Sequence, residues 1–266
     1  MVMKFFSLFF ASLLFCGVLF FFSGCSPTIS SDSLSNTVVV SPSSPVCSPV
    51  RIANAFDQSG SMGWTVTKRI TTDELKPVLP LLLRCGGEFS MTFIRSESNR
   101  PMFRFSVTEP TVEPILTPRG EDEEPFKFAD RKNKFEKDHP AWKNKKIERD
   151  KIYGQKFEEF LAEIEPVLNI NPKGGTDLWG AVLRSKIALS DSPYVWNSEP
   201  HFYLTLVSDG IDSMGKPKVV LDKKIKVFWV DSKTEDSVLR VLNAERCESF
   251  SAALASIVAI EGGTEK

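Results

Sequence analysis

The chain has 266 residues, 42% of them hydrophobic and 25% charged, ordinary values for a globular protein with one large domain or two small ones. Thirty-three basic residues stand against 34 acidic ones, a formal net charge of −1. That balance excludes the basic excess by which a nucleic-acid binder is recognised.

Lys4 precedes a nearly unbroken apolar run from Phe5 to Phe22, followed by Ser23-Gly24-Cys25. Small residues before a Cys, after a hydrophobic stretch, read as an export signal, so residues 1–25 fall outside the fold. The pattern resembles a bacterial lipoprotein signal, in which the Cys becomes the lipidated first residue. Phe22 departs from the aliphatic residue usual there. That resemblance implies Cys25 as the lipidation site and an exported body held on the cell membrane or an outer membrane. Ser26 in place of Asp leans towards the outer membrane in a cell that has one. Two alternatives stand beside it: an uncleaved anchor, since about 18 apolar residues nearly span a bilayer, and plain secretion. All three put the body outside the cytoplasm. Residues 26–49 are rich in Ser, Pro and Thr and cannot bury a core, so they read as a flexible tether.

In the body, residues 50–261, Val50 to Phe56 reads as a strand running into Asp57. Thr72 to Arg84 reads as a helix with Thr72 as N-cap, shortened or kinked by Pro77 and Pro80. Phe89 to Ile94 and Met102 to Val107 read as short strands. Residues 109–153 are long for a connection. They begin acidic and proline-rich and turn basic from Lys127 onward, with Phe126, Phe128, Phe135 and Trp142 interleaved. This charged insertion reads as a solvated helix with a floppy approach, or else as a partner-binding or headgroup-facing surface. Phe157, Phe160, Leu161, Ile164 and Leu168 recur at helical spacing, predicting a helix over 156–168. Thr176 or Asp177 caps a second helix running through Leu189. His201 to Val207 and Lys224 to Val230 read as buried strands, and Ser237 to Leu242 and Phe250 to Ile260 as closing helices. Strands alternating with helices predict an α/β fold, doubly wound, with a mostly parallel sheet and helices on both faces.

Cys47, Cys85 and Cys247 remain once Cys16 and Cys25 are set aside in the signal. An exported compartment permits disulfides. Three is an odd number, and Cys85 beside the apolar Pro80-Leu83 run reads as a buried free thiol, with a pair involving Cys47 left open.

Three polar segments, far apart, each adjoin an apolar element: Asp57-Gln58-Ser59-Gly60-Ser61, Gly174-Gly175-Thr176-Asp177 and Ser208-Asp209-Gly210. Asp57, Ser59, Ser61, Thr176 and Asp209 make an oxygen-only set suited to a hard cation such as Mg²⁺ or Mn²⁺. Ligands sit at the carboxyl ends of strands in open α/β sheets, which is where Asp57 and Asp209 fall. Taken singly, each segment is an ordinary turn or helix cap. In this order they resemble the metal-ion-dependent adhesion site (MIDAS) of the von Willebrand factor A (vWA) domain, and the likeness spans residues 50–261. Val227-Phe228-Trp229-Val230 resembles the strand after that family's last metal loop. Cys247 to Ile260 fits its final strand and helix.

The resemblance implies that Ser59, Ser61 and Thr176 supply hydroxyls, and that Asp57 and Asp209 act largely through water or by orienting those hydroxyls. One metal position stays exchangeable and takes an Asp or Glu carboxylate of a partner protein. Asp177 reads first as a helix cap. Gln58 points to a partner or to solvent, and Trp64 either rims the surface or packs on the sheet edge. The chain therefore reads as a membrane-tethered, metal-dependent protein-binding module and not as an enzyme. A phosphoryl-transfer enzyme using Asp57 is the first alternative, and it lacks a second Asp two residues on. A serine hydrolase lacks a base, since of the two histidines His139 lies in the charged insertion and His201, at a strand start, reads as packed or exposed. A metal-free scaffold of the same fold is the last alternative.

Overall fold

A computed structural model describes residues 47–62, 70–98, 102–168, 170, 173–230 and 237–262, with the side chains of Ser61 and residues 237–239 excepted. The export signal with Cys25, the tether up to residue 46, and Trp64 lie outside the described residues. Contacts divide the chain into Met1–Val39 and Val40–Lys266, and every described residue belongs to the second unit.

Six strands form one sheet: β1 (Val50–Asp57), β2 (Gly87–Ile94), β3 (Phe103–Val107), β4 (His201–Val207), β5 (Ile225–Val230) and β6 (Glu245–Cys247). Their order is β3-β2-β1-β4-β5-β6, antiparallel only between β2 and β3. β1 and β2 are buried along their whole length, as central strands covered on both faces must be. Side-chain alternation splits the core in two. Val50, Ile52 and Phe56 join Leu82, Phe89, Phe160, Phe228 and Leu254 on one face. Ala53 and Ala55 join Leu178, Val182, Leu204 and Trp229 on the other. Helices α1 (Val78–Cys85), α2 (Pro125–Leu168) and α5 (Phe250–Gly262) cover the first face. Helices α3 (Leu178–Ser190) and α4 (Ser237–Leu242) lie on the second. The expected doubly wound α/β architecture is therefore present.

The predicted helix over 72–84 is broken in two, a 3-10 turn at Thr72–Leu75 followed by α1. The N-cap is Thr71, not Thr72. Glu74 stands three residues after Thr71 and accepts its N–H at 2.8 Å, a reciprocal partner that Thr72 lacks, since Leu75 occupies that place.

Cys85 is not a free thiol. It is bonded to Cys47, with 5.1 Å between their Cα atoms, and among the described cysteines Cys247 is free. The pairing follows from the parallel register, Val50 opposite Gly87. The segment entering β1 and the end of α1, which enters β2, arrive side by side at one sheet edge. Gly87 closes that edge at φ +133°, and a Cβ there would lie 1.9 Å from the Val50 carbonyl oxygen.

The helix predicted over 156–168 begins 31 residues earlier, at Pro125, and runs 44 residues with Pro140 and Pro166 inside it. At 1.5 Å per residue it is about 66 Å long. Its approach is not floppy. Residues 108–124 lie back along it: the Thr108 hydroxyl is 2.9 Å from Tyr153 Oη, Trp142 Nε1 donates to Thr111 O (3.1 Å), and Arg131 Nη1 donates to the Thr117 hydroxyl (2.6 Å). Arg131 also bonds Glu123 at 2.6 Å. His139 stacks on Phe135 and Trp142 and reaches Glu113 at 3.1 Å. No helix among the described residues is long and apolar enough to cross a membrane.

Candidate metal centre

β1 and β4 are neighbours, and the chain winds away from them in opposite directions, so the switch point of the sheet lies between their carboxyl ends. Asp57 is the last residue of β1, and Ser208-Asp209 follows β4 directly. Thr176 lies two residues before α3. All belong to the same edge.

Hydrogen bonds tie the three loops that carry these segments into a closed ring. From the first to the second, Gly60 N–H donates to Gly174 O (3.0 Å) and Lys173 N–H to Gln58 O (3.0 Å). From the second to the third, Thr176 N–H donates to Ser213 Oγ (2.7 Å) and Ser213 N–H to Thr176 O (3.0 Å). From the third back to the first, the Ser208 hydroxyl donates to Asp57 Oδ2 at 2.6 Å. Asp57 Oδ1 accepts the Ser59 N–H at 2.8 Å, and Asp209 Oδ1 accepts the Ile211 N–H at 3.1 Å. Asp57, Ser59, Thr176 and Asp209 are all buried. Of the predicted residues, these four come together; the fifth, Ser61, has its backbone in the 3-10 turn Gly60–Met62 of the first loop.

Burial pushes the Asp57 carboxyl above its ordinary range, and the charge of Asp209 pushes the same way. Hydrogen bonds from Ser208 and Ser59 oppose them. Two carboxylates held near each other out of water, with hydroxyls around them, form a set that a divalent cation would relieve electrostatically. Every donor is a hard oxygen, so the set fits Mg²⁺ or Mn²⁺ and gives no reason to expect zinc. Among the described residues no group of three or more His, Cys, Asp or Glu is placed to hold a metal; the candidate set has two acids and draws its other donors from hydroxyls.

Asp177 caps α3. Its Oδ1 accepts the Gly180 N–H at 3.0 Å, while Oδ2 accepts the Ser98 N–H at 3.0 Å and an ammonium proton of Lys216 at 2.6 Å. The Ser98 hydroxyl in turn donates to Asp177 O at 2.8 Å. Asp177 thus joins the exit of β2, the start of α3 and the loop after β4. Gly180 is matched to this cap, since a Cβ there would fall 2.3 Å from the carboxylate. Gln58 points neither to a partner nor to solvent. It is buried, donates to Val167 O at 2.7 Å and accepts from Arg95 Nε at 2.9 Å. A side chain next to the ligand loop can turn back under the sheet edge, and the carbonyl at the end of α2 gives it a partner there. His201 is exposed at the opposite edge of the sheet, one of the two plain readings of it, with Nδ1 2.9 Å from the buried Glu261 Oε1.

Sequence reasoning missed three supporting residues. Ser208 orients Asp57, Ser213 fixes Thr176, and Asp212 Oδ1 accepts the Leu178 N–H at 2.9 Å. The signal for them was present in the run of Ser and Asp from 208 to 213, which surface turns also show.

No protein-family model matches the chain, and no curated protein matches it. Several solved structures do. A von Willebrand factor type A protein from Catenulispora acidiphila is 12% identical with a TM-score of 0.41, over 81% of this chain and 42% of that one. The manganese-loaded TRAP protein of Plasmodium vivax is 13% identical with a TM-score of 0.35, over 79% of this chain and 73% of that one. The pilus adhesin SpaC from Lactobacillus rhamnosus GG, in its open conformation, is 11% identical with a TM-score of 0.37, over 82% of this chain and 30% of that one. The chain spans less than half the length of the first and third of these. By its own strand order, with one antiparallel pair at the edge of an otherwise parallel sheet, the body has a doubly wound, Rossmann-like α/β fold.

Proposed function

We propose that this chain is an exported, membrane-tethered binding module whose body, residues 50–261, joins a protein partner through a divalent cation. Ser59, Ser61 and Thr176 hold Mg²⁺ (or Mn²⁺) by their hydroxyls, with Asp57 and Asp209 beside them, and an exposed Asp or Glu of the partner completes the shell. The observation that carries this reading is the closed hydrogen-bonded ring of the three loops at the switch point, Asp57 to Ser208, Gly60 to Gly174 and Thr176 to Ser213. When bound, the cation supplies positive charge that a visiting carboxylate can meet. The chain's own part is to present neutral hydroxyls, so that little of that charge is cancelled, and to keep the two acids oriented. The apolar signal and Cys25 supply the tether.

Thermal melts of the full chain in Mg²⁺ and in EDTA test the metal. At a metal concentration about 100 times the dissociation constant the native chain should gain about 2.7 kcal/mol. Asp57→Ala should abolish that gain, together with capture of a partner from membranes in Mg²⁺. Identical melts with Mg²⁺ and EDTA would leave the metal-free scaffold as the correct reading. A phosphatase assay with Asp57→Ala as control addresses the enzyme.

A further inference from the structure

The parallel strands give the sheet two unlike edges. Val50 lies opposite both Gly87 and His201, and Phe202 opposite Ile225, so β1, β2, β4 and β5 all begin at one edge and point at the candidate metal centre from it. Cys47 stands three residues before β1 at that starting edge, and the His201 N–H donates to Pro49 O at 2.8 Å. The loop entering β4 belongs to the same edge. It carries Tyr194, Val195 and Trp196 in succession, with Val195 99% exposed, Tyr194 40% exposed, and the two aromatic rings 5.7 Å apart. The next residues, Asn197 and Ser198, form one wall of a groove of about 680 Å³. Cys47, Leu83, Val112, Ile115 and Trp142 are among the residues that line its apolar surface, and Val112 and Ile115 are about half exposed.

We propose that this starting edge is a lipid-facing surface, with the Tyr194-Val195-Trp196 tip entering the bilayer interface and the Val112–Ile115 groove lying against it. The inference rests on the tether reading of residues 1–46. Tyr and Trp favour the membrane–water interface, where one end of the ring is apolar and the other wet. Exposed Tyr194 and Val195, backed by the half-buried Trp196 whose indole nitrogen is turned inward, stand beside an apolar groove, which is more than the scattered surface hydrophobics of a soluble monomer. The described residues begin at Cys47, at this edge, and the apolar stretch Phe5 to Phe22 precedes it in sequence. Charge does not drive the contact. Arg84 and Lys146 in the groove wall are offset by Glu109, Glu113 and Asp150, and Lys224 beside the loop pairs with Glu199. Lipid of no net charge should therefore suffice. The candidate metal centre, at the opposite edge, then faces away from the membrane.

The test uses the full chain, its apolar run Phe5 to Phe22 kept as the anchor, in phosphatidylcholine vesicles, with Cys16→Ser, Cys25→Ser and Cys247→Ser so that no other thiol takes the label, and a bimane label at either Val195→Cys or Lys173→Cys, the latter on the loop at the metal edge. Both sites are exposed, so the substitutions leave the fold intact. Flotation with the vesicles reports the tether. Doxyl-labelled lipid should then quench the label at 195 and leave the label at 173 bright. Equal quenching at the two sites, or none at 195 in a chain that floats, overturns the lipid-facing surface and leaves the tether standing. Failure to float removes both.

Discussion

Glu88, on β2, is 2% exposed, with Arg51 3.6 Å and Arg104 3.7 Å away. Burial pushes its carboxyl above the usual range, and the two guanidiniums pull it down by less. The folded chain therefore holds this proton at pH values where the unfolded chain has released it. Stability from Glu88 rises as pH falls through the raised folded value and stops rising below the unfolded value, about 4.3. Glu88→Gln should flatten the pH dependence of the unfolding free energy in that window, as read by urea titrations of both chains. An unchanged slope would show that Glu88 is paired well enough to stay ionised. Single residues were also where sequence reasoning fell short. Asp57, Thr176 and Asp209 could be found because their side chains follow recognisable elements in a recognisable order. Gln58 could not, because its partners, Val167 O and Arg95, come from 109 and 37 residues away and leave no local trace. Cys85 was misjudged for the same reason. Its neighbours in sequence are apolar, while its bonding partner is set by the register of β1 against β2.

Among the elements, the central strands were legible as apolar runs and the inner half of α2 by its helical period. β4 and β5 are nearly continuous apolar runs, as parallel strands covered on both faces must be. Phe157, Phe160, Leu161 and Ile164 mark one helical stripe. The outer half of α2, from Pro125 to about Tyr153, shows no such stripe, because what it packs against is an extended strap and not the sheet. Its contacts are an arginine on Glu123 and Thr117, an indole on a carbonyl, and a stacked histidine. Arg131→Ala should release the strap locally. Hydrogen exchange should quicken over residues 117–131 and stay unchanged over β1 and β4, since no core contact is lost. Uniformly faster exchange through the sheet would mean that the strap supports the whole body.

At the scale of the whole molecule, the Cys47–Cys85 bond closes a loop of 38 residues that contains β1, the first ligand loop and α1. In the chain-entropy picture such a closure contributes about 3–4 kcal/mol. Cys47→Ser with Cys85→Ser should lower the unfolding free energy by about that amount in guanidinium titrations, and adding reductant to the native chain should reproduce the shift. A change under about 1 kcal/mol would mean that the unfolded chain is already compact in this region.

The same bond, together with the direction of β1, governs how the body would bear a load. A pull from the Cys47 side against a grip at Asp57 acts lengthwise on β1, which is laddered to β2 on one side and β4 on the other. The rungs on both flanks would then be sheared together instead of peeling in turn. The cross-link also shares the force with the helix leading into β2, so the middle of the sheet resists extension as a single block.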